Sequence, residues 1–127
     1  MIDQPLGTQC WYNEQGELHR TDGPAVIYAN GERRWLQMDQ LHRTDGPAIE
    51  YASGEKWWYL NNRRHRTDGP AIEFAAGSKY WYLNDQLHRT DGPAVIYANG
   101  EKHWYILDKE LTEEEHQLLT FACYNTV

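Results

Sequence analysis

No stretch of this sequence stays apolar for long enough to cross a membrane, and its 12 Lys and Arg are outnumbered by 19 Asp and Glu. The first lack leaves no candidate for a membrane-spanning helix. The second gives a formal net charge of −7 and argues against direct binding of nucleic acid, which takes a basic stripe along the phosphates. Cysteine is scarce too. Cys10 and Cys123 lie near opposite ends of the chain, far apart in any stack of repeated units, so two reduced thiols are expected rather than a disulfide framework. The opening Met1-Ile2-Asp3-Gln4-Pro5 is polar and shows no basic-then-apolar leader, which sets the expectation of a cytoplasmic protein. Aromatic residues, by contrast, are plentiful. Six Trp and nine Tyr in so polar a chain imply a folded protein with a thin core, and 127 residues leave room for one domain.

An internal repeat organises the chain. The heptapeptide His-Arg-Thr-Asp-Gly-Pro-Ala occurs at 19–25, 42–48, 65–71 and 88–94, each copy 23 residues after the last. Gly31, Gly54, Gly77 and Gly100 keep the same register, as do Trp35, Trp58, Trp81 and Trp104. A period without insertions means identical units stacked in one direction. Within a unit, Asp22-Gly23-Pro24 is a turn, because Pro fixes φ and removes a donor at the strand entrance. The β-branched and aromatic run Ala25-Val26-Ile27-Tyr28-Ala29 follows as a strand. Asn30-Gly31, matched by Ser53-Gly54, Ala76-Gly77 and Asn99-Gly100, is a hairpin turn, and Glu32 to Gln37 returns as the second strand. From about 38 to 46 a polar connection leads to the next hairpin.

A two-residue turn with positive φ at both positions would set Tyr28 opposite Arg33, Ile27 opposite Arg34 and Val26 opposite Trp35. One face of the sheet then carries Val26, Tyr28 and Trp35 with their equivalents and becomes the core face, the stems of Arg33, Lys56, Lys79 and Lys102 covering the Tyr and Phe rings. The other face takes the variable positions: Ile27, Glu50, Glu73 and Ile96 against Arg34, Trp57, Tyr80 and His103, with Leu36, Tyr59, Tyr82 and Tyr105 alongside. Those aromatics are either a second, partly covered apolar layer or an exposed binding strip.

The ends depart from the repeat, as ends of a stack must. Residues 1–18 supply an edge strand and cap, 19–110 the four hairpin units, and 111–127 a C-terminal cap. In that cap Thr112-Glu113-Glu114-Glu115 reads as a capping box, followed by Leu118, Leu119 and Ala122 at helical spacing. A helix over about 112–123 should cover the last sheet edge, with its glutamates favoured at the positive helix start. The fold class expected is all-β: a single-layer antiparallel sheet of stacked 23-residue hairpins with a short C-terminal capping helix.

The 23-residue unit, with its Asn30-Gly31 turn, the aromatic at Trp35 and Gly23 before the next strand, resembles the MORN-like repeat family. In particular it is similar to the divergent variant seen in YwqK-type antitoxins and small tailed-phage proteins, whose tails the Leu111–Glu115 ending also resembles. The resemblance covers roughly residues 10–110. It implies a curved antiparallel sheet that serves as a contact scaffold, with no catalytic residues, and a host-cytoplasmic location if the chain is phage-encoded. The family's Tyr-x-Gly signature is not reproduced after the Trp column, and no basic membrane-facing cluster is present, so lipid binding is not expected.

His-Arg-Thr-Asp invites a catalytic or metal reading, but successive copies should lie two strands apart, about 9–10 Å, too far for one ion to bridge. Four identical active sites in so small a chain would be odd. The motif is expected to hold the stack: Arg pairs with Asp between adjacent units, while His and Thr satisfy backbone groups. Binding, not catalysis, is then the expected activity, with no cofactor and no metal. The expected contact surface is Trp57, Tyr59, Tyr80, Tyr82, His103 and Tyr105 with Glu50, Glu73 and Arg34, aromatics inside a polar rim. By resemblance, the partner is a bacterial immune or toxin protein that the chain docks on and inhibits or neutralises. The competing reading is a small-molecule or nucleotide sponge, with rings stacked on a base. Homo-oligomers through sheet edges are a further arrangement the fold allows.

Overall fold

The computed structural model describes residues 7–125, and side chains as far as Phe121. Ten short strand segments form one open antiparallel sheet, running from Gln9–Cys10 through Val26–Ile27, Arg33–Arg34, Ile49–Glu50, Lys56–Trp57, Ile72–Glu73, Lys79–Tyr80 and Val95–Ile96 to Lys102–Ile106 and Lys109–Leu111. Each unit adds two neighbouring strands, and spatial order follows chain order. Among the described residues one helix, Glu113–Asn125, follows the last strand.

The turn at Asn30-Gly31 has three residues rather than two. Tyr28 and Glu32 pair, with the Tyr28 N–H donating to the Glu32 carbonyl at 2.9 Å and the Gly31 N–H closing back on Tyr28 at 3.0 Å. Gly31 has φ 96°, and Asn30 is not among the positive-φ residues. This is a type I turn finished by a left-handed glycine, and it adds one residue to the loop. Only the glycine needs positive φ, which is why Ala76 serves as well as Asn30 in the place before it.

That extra residue corrects the expected register. Val26 stands opposite Arg34 and Ile27 opposite Arg33. A one-residue slip exchanges the faces of one strand relative to its partner, so the Trp column does not share a face with Val26 and Tyr28. Arg33, Lys56 and Lys79 are likewise opposite Ile27, Glu50 and Glu73, not beside the Tyr and Phe rings.

The stretch expected to be a plain connection contains a second hairpin. Leu36–Gln37 pairs with Gln40–Leu41, Tyr59–Leu60 with Arg63–Arg64, and Tyr82–Leu83 with Gln86–Leu87. Here the turns have two residues with positive φ at both: Met38 and Asp39, Asn61 and Asn62, Asn84 and Asp85, Leu107 and Asp108. Asn and Asp tolerate that conformation better than other non-glycine residues. They also lace each unit to the one before. The Asp39 N–H donates to the Leu18 carbonyl at 2.9 Å, and the Leu18 N–H donates to Asp39 Oδ1 at 2.7 Å. The same exchange joins Asn62 to Leu41, Asp85 to Arg64 and Asp108 to Leu87.

The core is a line of small and β-branched residues. Ala25, Ala48, Ala71 and Ala94 are wholly buried, and Val26, Ile49, Ile72 and Val95 are 2–4% exposed. Val26 packs with Cys10 and Leu36, flanked by Tyr12, Leu18, Tyr28 and Leu41. Ile72 packs with Ala71 and Tyr82, flanked by Trp57, Phe74, Tyr80 and Leu87. Each buried Val or Ile contributes about 1.5–3 kcal/mol, so the sheet rests on many modest, repeated terms. Cys10 is a buried free thiol; Cys123 has no described side chain.

The helix begins where the capping box placed it. The Glu115 N–H donates to Thr112 Oγ1 at 3.1 Å, and the Thr112 N–H donates back to Glu115 Oε1 at 2.9 Å. Its docking residue, however, is His116, 3% exposed, with Nε2 2.6 Å from the Arg89 carbonyl. Leu118, expected to cover the sheet edge, is 72% exposed; Leu119 and Phe121 also face outward, and the Ala122 side chain lies outside the described residues.

Candidate functional site

Strand pairing strings one residue from each of the first nine sheet strands into a single row: Cys10, Val26, Arg34, Ile49, Trp57, Ile72, Tyr80, Val95 and His103. Aliphatic residues from each first strand alternate with Arg, Trp, Tyr and His from each second strand. Two residues along, Tyr28, Tyr51, Phe74 and Tyr97 share this face by strand alternation. Their rings interlock with the row edge to face. Tyr51 and Trp57 lie 6.3 Å apart, Trp57 and Phe74 6.1 Å, Phe74 and Tyr80 5.3 Å, Tyr80 and Tyr97 6.1 Å, and Tyr97 and His103 5.5 Å. Two residues on, at the start of the second hairpins, Tyr59 stacks parallel to Trp57, and Tyr82 parallel to Tyr80. Burial pushes the Tyr59 and Tyr82 phenols above their ordinary pKa. The surface is therefore an unbroken aromatic array, half-buried over most of its length, with Tyr82 buried and Tyr97 exposed.

The variable row position carries its own partner two residues earlier. Arg34 Nε donates to Glu32 at 2.6 Å, the Trp57 indole N–H to Glu55 at 2.7 Å, and His103 Nε2 lies 2.6 Å from Glu101. In the third unit the row residue is Tyr80, and Ser78 stands where the others have Glu. Carboxylate and N–H donor thus change together. His103 Nδ1 also meets Glu110 at 2.7 Å, and the Glu110 and Glu101 carboxylates raise its pKa.

The expected contact residues divide between two faces. Arg34, Trp57, Tyr80 and His103 share the row, with Tyr59 and Tyr82 stacked on Trp57 and Tyr80 from the start of the second hairpins, and Tyr105 two residues beyond His103 on its strand. Glu50 and Glu73 do not join them; they alternate with Arg33, Lys56 and Lys79 on the opposite face. There each serves the repeated motif, Glu50 accepting from Arg43 at 3.3 Å and Glu73 from Arg66 at 3.1 Å.

The motif builds the same sandwich in every unit. The guanidinium carbon of Arg43 lies 3.8 Å from the centre of the Trp35 ring, and a Cβ on Gly46 would come within 2.8 Å of it. Arg43 donates from Nε to Asp45 at 2.8 Å and from Nη1 to the Pro47 carbonyl at 3.0 Å. Arg20 on Trp11, Arg66 on Trp58 and Arg89 on Trp81 repeat the stacking at 3.9–4.1 Å. Arg and Asp therefore pair within one unit, not between units as expected. The distances are short because Asp sits two residues from Arg across a tight turn. His is the residue that reaches out: Nδ1 of His19, His42, His65 and His88 accepts the N–H of Met38, Asn61, Asn84 and Leu107 at 3.0–3.1 Å.

Protonating Nδ1 removes that acceptor. For His88, burial and the nearby His116 hold the pKa below its ordinary value. The unfolded chain therefore takes up a proton first, at about pH 6.5, and stability is lost as the pH falls from there toward the lowered folded value. His88→Asn keeps a side-chain oxygen acceptor that does not titrate in this range. Melting measured between pH 7.5 and 5 should show a shallower acid loss in this variant than in the parent; equal slopes would remove His88 as a source.

Among the described residues no helix is long and apolar enough to cross a membrane. Comparison with protein-family models, curated proteins and solved structures finds nothing that matches this chain.

Proposed function

We propose that this chain is a MORN-like repeat protein that binds a partner protein through its aromatic face, without catalysis, and thereby inhibits or neutralises that partner. The observation that carries the reading is the row Arg34, Trp57, Tyr80, His103. Four different side chains occupy this register position, the one column of the repeat in which no two units agree. A position that served only the stack would repeat, since every rung makes the same demand. Aromatics and Arg, flanked by carboxylates, also match the composition of energetically dominant interface centres. By its resemblance to antitoxin and phage proteins, the partner class is a bacterial immune or toxin protein.

The test is affinity capture of the tagged chain from a bacterial lysate, with native mass spectrometry of what co-purifies. A protein captured in stoichiometric amount, and released by competition with untagged chain, is the expected result. A nucleotide or other small molecule retained in its place would overturn the reading in favour of a ligand sponge.

A further inference from the structure

Three carboxylates accompany the variable row, and one of them differs from the others in what it holds. Glu32 pairs with Arg34 at 2.6 Å, and Glu101 with His103 at 2.6 Å. Glu55 instead accepts the Trp57 indole N–H at 2.7 Å, a neutral donor, and makes no ion pair among the described residues. Its negative charge is therefore uncompensated in the middle of the ring array. Arg34 and Arg64, which share this face, are already committed, the first to Glu32 and the second to Asp85 at 2.9 Å. Strand register sets Glu55 between Tyr51 and Phe74, with Trp57 two residues on. All four are half-buried. Tyr51 and Phe74 meet the Trp57 ring edge to face at 6.3 and 6.1 Å. Where the chain supplies a guanidinium on this face, it lies over a ring: Arg34 over Tyr28 at 5.7 Å and Arg64 over Tyr82 at 4.2 Å. Among the described residues no cation lies over Tyr51, Trp57 or Phe74.

We infer that Glu55, with the Tyr51, Trp57 and Phe74 rings around it, is a receptor for an arginine side chain of the partner protein. The inference rests on the proposed use of the aromatic face. The chain itself displays the chemistry four times. In each repeated motif a guanidinium carbon lies 3.8–4.1 Å from a Trp ring centre, and its Nε donates to an Asp carboxylate at 2.8–2.9 Å. At Glu55 and Trp57 the carboxylate and the ring stand together, and the guanidinium comes from outside. The equivalent place in the first unit takes the same cation, since Glu32, set between Tyr28 and Tyr51, holds Arg34. Charge selects a cation: an uncompensated carboxylate attracts one, and ring faces add to that attraction. Shape selects guanidinium over ammonium. A planar guanidinium lies flat on a ring while its N–H groups reach a carboxylate in their own plane, and it sheds water more readily. A lysine ammonium is a compact, strongly hydrated charge with no plane to stack.

The Trp57 indole N–H, bonded to Glu55, is the reporter. Its resonance is assigned in the nitrogen–proton correlation spectrum of the whole chain by its loss in Trp57→Phe. Nα-acetyl-arginine amide is the probe, with the lysine amide and the neutral citrulline amide, isosteric with arginine, as controls. The arginine probe should move this resonance saturably and bind about tenfold tighter than citrulline and about threefold tighter than lysine. Glu55→Gln keeps an oxygen for the indole N–H and should weaken the arginine probe about fivefold, the other indole resonances staying in place. Equal affinity for citrulline would mean ring stacking alone, and equal affinity for lysine charge alone; either overturns the receptor. An unchanged response in Glu55→Gln, or no saturable shift up to the solubility of the probe, overturns it too. Because the probe contains no partner, the two readings fail separately. Capture of a protein without a response to the probe removes only the arginine receptor, whereas a response without capture leaves the receptor standing.

Discussion

Trp58→Ala should cost about 3–5 kcal/mol of folding stability, and Arg66→Ala about 2–3 kcal/mol, yet the two together should cost at least 1 kcal/mol less than their sum. The first figure is that of truncating a large packed aromatic in the middle of the stack. The second combines the ring contact, 3.9 Å from guanidinium carbon to ring centre, with charge-assisted bonds to Pro70, Asp68 and Glu73. The shortfall arises because Arg66 without Trp58 is no longer held over a ring, and Trp58 without Arg66 has one face opened to water. Urea unfolding of the parent, both single variants and the double variant measures the coupling. Additivity within about 0.5 kcal/mol would mean that stacking on Trp58 is not what places Arg66. The same sandwich explains Gly69: its Cβ would stand 2.8 Å from the Arg66 guanidinium carbon, so the glycine is kept for close approach.

The sandwich also accounts for the most repeated letters in the sequence. Trp, Arg, Asp and Gly recur together because each unit must rebuild the whole arrangement, while His joins one unit to the next. That motif was legible as scaffold from its repetition, though not in its bonding. An Arg-Asp pair separated by one residue can close on itself or reach a neighbour, and spacing alone does not choose.

Period, hairpins, capping box and open antiparallel sheet follow from local signals that tertiary packing does not overrule. Register did not, because Asn-Gly fits two turn geometries that differ by one residue. Ala76 was the available cue: alanine is poorly suited to positive φ, so the third unit argued for the turn in which only glycine adopts it. The second hairpin had a cue as well, the Asp or Asn at 39, 62, 85 and 108, which exchanges two hydrogen bonds with the preceding unit. Its neighbours Met38 and Leu107 hide it, because neither is a turn residue by composition.

The surface was partly legible for the same geometric reason. Trp57 with Tyr59, Tyr80 with Tyr82, and His103 with Tyr105 lie two apart in one extended stretch of chain, and that relation survives any slip between paired strands. Glu50 and Glu73 lie on the neighbouring strand, so the shifted register moves them to the motif face. His116 carried no signal at all. A lone histidine after three glutamates looks like part of a wet helix face, and only its fit against the Arg89 carbonyl distinguishes it.

The proposed docking surface is the variable row. Trp57 and Tyr80 sit at its centre, each in edge contact with the Phe74 ring between them. Truncating one central aromatic in an interface commonly costs 2 kcal/mol or more of binding, and about 1.4 kcal/mol is a factor of ten. Their removal also loosens the ring array, so affinity must be compared at equal concentrations of folded protein, checked by near-ultraviolet circular dichroism. The deciding measurement is the dissociation constant of the captured partner for the parent chain, for Trp57→Ala/Tyr80→Ala, and for a variant with Leu118 and Phe121 changed to serine. Binding weakened about thirtyfold or more by the first variant and little changed by the second is the result predicted. Normal binding by the aromatic variant, with loss on changing the helix, would contradict it and place the partner on the C-terminal cap.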